Sequence, residues 1–110
     1  MNRAEFSKAI QELHAPAQRQ KKLADAVGLK HGAGSKQYKE EYAKYARLLL
    51  SIVPKEHEIW CQFCIFLFTE AVQNGKSKEK VLAEIIETGK HMEESKKPDW
   101  RNVYKSISAL

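Results

Sequence analysis

Between Ile59 and Phe68 the chain reads Ile-Trp-Cys-Gln-Phe-Cys-Ile-Phe-Leu-Phe, and Gln62 is its one strongly polar side chain. A helix that is apolar on nearly every side has no face it can leave in water. This segment is therefore expected to be the central, most buried element, and the rest of the chain must supply its cover. The neighbouring segments have helical spacing too. Phe6, Ala9, Ile10 and Leu13 recur at i, i+3, i+4, i+7, with Asn2 as the N-cap and Glu5 three residues on. Tyr38, Tyr42, Tyr45, Leu48, Leu49 and Ile52 form a second stripe, entered through Ser35. Val81, Leu82, Ile85 and Ile86 form a third behind Ser77, and Trp100, Val103, Tyr104 and Ile107 a fourth behind Asp99. No segment alternates with period two long enough to read as a strand.

The punctuation sets the expected number of helices. Pro16 ends the first segment or opens the next, and Gly28 stops that short second helix. Pro54 does for the third and fourth what Pro16 does for the first and second. The expectation is an all-α, single-domain bundle of five or six helices over residues 1–110. That length can bury one modest core without disulfides. Two cysteines are too few for a secreted disulfide framework, no apolar run approaches the roughly 18 residues of a membrane span, and the N-terminus lacks a signal-peptide core. A cytoplasmic protein with no membrane association is the expectation.

Charge is unevenly placed. Residues 1–55 carry eleven Lys/Arg against five acids, a balance of +6, and residues 56–110 carry eight against nine, a balance of −1. Arg19, Lys21, Lys22, Lys30, Lys36 and Lys39 fall within twenty-one residues that hold one acid, Asp25. Gly28, Gly32 and Gly34 lie in the stretch "GLKHGAGSK", which reads as a loop, with Lys30, His31 and Lys36 on it. Clustered cations attract phosphates whatever the base sequence. Arg19, Lys21, Lys22, Lys30, His31, Lys36 and Lys39 are therefore the expected nucleic-acid-binding residues, for DNA or RNA. An acidic protein surface is the alternative partner. The load of Trp60, Phe63, Phe66, Phe68 and Trp100 raises a protein-interaction module, including self-association, as the competing function.

Within this stretch, Leu23-Ala24 followed by Gly28-Leu29 resembles the first helix and turn of helix-turn-helix DNA-binding proteins. The likeness implies a recognition helix beginning near Lys30. The apolar anchors that such a helix carries are replaced here by Gly34 and by Gln37 or Tyr38.

Trp60-Cys61-Gln62-Phe63-Cys64 resembles the Trp-Cys-x-x-Cys site of thioredoxin-like oxidoreductases. There a buried strand leads into the motif and a helix N-terminus stabilises a thiolate. Here Pro54 to Glu58 cannot form that strand, and Glu56 and Glu58 oppose a thiolate. His57, Cys61 and Cys64 share one helical face, but about 10 Å of axial rise separates the first from the last, too far to share one ion. Core thiols are expected, with no metal and no cofactor. Glu40–Glu41, Glu56/Glu58 and Glu93–Glu94 do not form an acid–base pair, so no catalytic residue is expected.

Overall fold

A computed structural model of the chain describes residues 1–110, the side chain of Ser95 aside. Four α-helices and one 3-10 turn make up the described residues: α1 (Arg3–His31), α2 (Lys36–Gln73), α3 (Lys78–His91), the 3-10 turn Glu94–Lys96, and α4 (Trp100–Ser108). The all-α class is as expected, but the count of five or six helices is not. Neither proline breaks its helix: Pro16 lies inside α1 and Pro54 inside α2. Each ring removes one backbone bond, to Glu12 and Leu50 respectively. Pro16, Glu12, Pro54 and Leu50 are all exposed, so water reaches the freed carbonyls. The packing of two long helices along their length outweighs the local cost of about 3 kcal/mol per proline.

α1 and α2 form an antiparallel hairpin. Phe6, Ile10, Leu13, Ala17, Gln20, Ala24 and Val27 step alternately by four and three, as a left-handed coiled-coil seam requires. Ala17 and Ala24 are buried, and their small side chains allow close approach to α2. Phe6 stacks on Phe63 at 4.2 Å and meets Trp60 edge-on at 4.7 Å at the open end. Gly28 stays helical, contrary to the sequence expectation, because it serves the seam. A Cβ there would come within 2.8 Å of the Tyr38 ring. The turn falls later, at Gly32, whose φ of 91° suits glycine, and the Ser35 hydroxyl then accepts from the Tyr38 N–H at 3.1 Å to start α2.

Among the described residues α1 packs on α2, and α3, the 3-10 turn and α4 also pack on α2, toward its C-terminal end. Their shared core is Cys61, Cys64, Val81, Ile85, Val103 and Ile107, with Trp60, Phe68 and Trp100 against it. The segment Ile59–Phe68 is thus covered from one side by the start of α1 and from the other by α3 and α4, which explains its apolar circumference. At 1.5 Å per residue, α2 alone is about 57 Å long, and the molecule measures 59 × 24 × 16 Å. Its radius of gyration, 18.6 Å, exceeds the roughly 13 Å of a compact chain of this size. The hairpin is an arm that projects from the α3–α4 end.

Candidate functional site

The tip of that arm gathers part of the expected basic set. Lys30 and His31 close α1, Lys36 and Lys39 open α2, and all four are exposed around the Gly32–Ser35 turn. Neither the last turn of α1 nor the first turn of α2 contains a carboxylate. Lys30 and His31 face the negative end of the α1 dipole, which they complement. Lys36 and Lys39 stand at the positive end of α2, where they add to the field an anion meets. Lys36 lies 3.9 Å from Glu40, but both are exposed, and such a pair contributes at most about 1 kcal/mol.

Arg19, Lys21 and Lys22 are not part of the tip. They sit along α1, exposed, with Arg19 about 18 Å before the end of the helix. Lys21 shares its charge with Asp25 at 3.6 Å. Of the seven expected residues, four therefore surround one turn, and three form an approach along one helix. The tyrosines form a ladder beside them: Tyr38 and Tyr42 are 5.8 Å apart, and Tyr42 and Tyr45 5.7 Å. Tyr38 is taken up by Gly28, whereas Tyr42 is exposed.

The arm is braced by a polar contact at its centre. Gln20 donates to both the backbone oxygen and the carboxylate of Glu41, at 2.9 and 2.8 Å. This bond, followed by that from Lys44, holds the Glu41 carboxyl below its ordinary value. Sequence reasoning missed a second such contact. Glu56 is 5% exposed and lies 3.2 Å from the His14 ring, across the seam. The signal was present in the spacing, since Glu56 occupies the seam position between Ile52 and Ile59.

The two cysteines are free, buried thiols. Burial pushes the Cys61 thiol up, against an opposing hydrogen bond that Asn102 donates to its sulfur at 3.3 Å. Burial, and then Cys61 beside it, push the Cys64 thiol up to about 11. Both sulfurs are therefore protonated at neutral pH, the opposite of what a thiol nucleophile needs. His57 is not turned toward them for ligation; its ring donates to the Glu94 carbonyl at 3.0 Å. Among the described residues no group of three His, Cys, Asp or Glu is placed to hold a metal ion. A cleft of about 520 Å³ lies between α2 and the Glu94–Asn102 segment, lined by His57, Cys61, Asp99 and Asn102 among others. Its polar groups of both signs converge on no single ligand chemistry.

Sequence reasoning also missed the apolar groups left outside. Leu29, near the tip, is 91% exposed, and Leu50 on the arm is 74% exposed. Among the described residues no helix is long and apolar enough to cross a membrane. No protein-family model matches the chain, and no curated protein or solved structure matches it.

Proposed function

We propose that this chain is a small, non-catalytic binding protein that engages the phosphate backbone of a nucleic acid, DNA or RNA, with the basic tip of its hairpin. The observation that carries the reading is the convergence of Lys30, His31, Lys36 and Lys39 around one turn, with no carboxylate in either flanking helical turn. Arg19, Lys21 and Lys22 extend the positive surface along α1 for a ligand that lies against the arm. Contacts of this kind are made to phosphates and carry no base specificity.

Salt dependence tests the reading. Each phosphate neutralised on duplex DNA contributes about −0.9 to the slope of log K against log salt, so three tip lysines give roughly −2.7. Fluorescence anisotropy with labelled duplex DNA, single-stranded DNA and RNA, titrated from low to moderate salt, measures it. Undetectable binding to all three at low salt would dispose of the proposal.

A protein-interaction module is the second reading, and the exposure of Leu29 and Leu50 favours it. Large aliphatic side chains on an arm with one packed face are expected where a further helix or a second copy is added. Light scattering across concentration separates the two readings. A mass that rises with concentration and falls back in Leu29→Lys/Leu50→Lys supports the module, and a constant monomer mass counts against self-association.

A further inference from the structure

At the other end of the molecule, about 40 Å along α2 from the tip, α3 and α4 leave a groove between them. It consists of two adjoining hollows of about 350 and 250 Å³ that share Ile86 and Trp100. Its apolar surface is open: Ile86 is 54% exposed and Tyr104 40% exposed. The groove has a rigid reason for its shape. Gly89 lets the Trp100 ring lie against α3, where a Cβ would come within 2.8 Å of the indole.

The charged side chains that line this surface are all basic. Lys90, Lys97 and Arg101 line the two hollows, and no carboxylate does. Lys97 and Arg101 have no carboxylate within salt-bridge distance among the described residues, while Lys90 stands 3.6 Å from Glu87 in an exposed pair. In residues 56–110, where acids outnumber bases nine to eight, a lining of three cations against one flanking carboxylate, Glu87, is a local exception. An apolar floor selects for apolar anchors, and a predominantly basic rim selects for acidic flanks while disfavouring basic ones.

We propose that the α3–α4 groove is a docking site for an acidic segment of a partner protein, with apolar side chains of that segment seated on Ile86, Trp100 and Tyr104. The site is independent of the tip, so it stands or falls without the nucleic-acid reading. A chain with both properties holds a phosphate polymer at one end and a protein at the other.

Display selection of a random 16-residue peptide library on the full chain tests the proposal, followed by anisotropy titration of the enriched peptides. The expected peptides are acidic with apolar anchors. They should bind at least about tenfold more weakly to Ile86→Glu/Tyr104→Glu and to Lys90→Glu/Arg101→Glu. All four positions are exposed, and unchanged circular dichroism establishes that each variant folds. Lys30→Glu/Lys36→Glu should leave the affinity unchanged. Enrichment of basic or uncharged peptides, or of none, overturns the proposal. So does acidic binding that the groove variants do not weaken. A dimer that Ile86→Glu/Tyr104→Glu converts to monomer would also overturn it, because the groove's occupant would then be a second copy.

Discussion

Pro54→Ala should stabilise this protein, and the size of the gain follows from where the ring sits. Pro54 is nineteen residues into α2 and is exposed, as is Leu50, whose carbonyl it leaves without a helical partner. Alanine restores that donor and removes the ring's clash with the preceding turn. In a helix interior the difference is about 3 kcal/mol. Proline also restricts the unfolded chain, and losing that restriction costs about 0.4–1 kcal/mol. Little packing is lost from an exposed ring, so the net gain is roughly 2 kcal/mol. Urea unfolding followed by circular dichroism at 222 nm reads it as a higher midpoint at unchanged slope. The reasoning is refuted if Pro54→Ala is neutral or destabilising. That result would place the ring at the first turn of a separate helix, where its missing N–H is harmless.

Other consequences are equally concrete. Gly28→Ala should destabilise by about 1 kcal/mol in the same assay: overpacking against Tyr38 costs about 1–3 kcal/mol and helix propensity returns about 1. Tyr38→Ala in the same chain should remove the overpacking. Gly89→Ala, also inside a helix, should displace Trp100, lowering stability by about 1 kcal/mol net of the same helix-propensity return and shifting tryptophan emission; Trp60→Phe isolates the Trp100 signal. Native Cys61 and Cys64 should resist iodoacetamide at pH 8 and become reactive on unfolding. Because the folded Cys64 pKa is raised to about 11, the folded state holds a proton that the unfolded state gives up first. Stability therefore declines as pH rises from about 9 toward 11, and Cys64→Ala should flatten that part of the profile.

The helical class was legible because it depends on the period of apolar residues, which tertiary packing preserves. The apolar circumference of Ile59–Phe68 marked a segment that packs on two sides, but only Cys61, Phe63 and Cys64 of it are buried, and the largest fully buried side chains lie in α3 and α4. The helix count was not. Proline and glycine report local backbone cost, but Pro16, Gly28 and Pro54 sit in helices whose packing along the arm exceeds that cost. The basic residues were visible as a cluster in sequence. Which of them share a site depended on α1 continuing as one helix to His31, which leaves Arg19, Lys21 and Lys22 along the arm and only Lys30, His31, Lys36 and Lys39 at its end. The Glu56–His14 contact spans forty-two residues, and the α3–α4 groove depends on Trp100 resting on Gly89. The spacing marks Glu56 as a seam position, but local sequence names neither His14 as its partner nor Gly89 as the rest for Trp100.

The position of the charge, rather than its amount, is what the functional reading asserts. Lys30→Glu/Lys36→Glu at the tip and Lys80→Glu/Lys105→Glu on α3 and α4 both lower the formal net charge from +5 to +1. The direct measurement is the affinity of these two chains for one labelled duplex at one low salt concentration. Loss of at least about tenfold at the tip, with the other chain close to the unsubstituted protein, is the expected result. Equal loss in both would mean that total charge governs binding and that the tip is not a site.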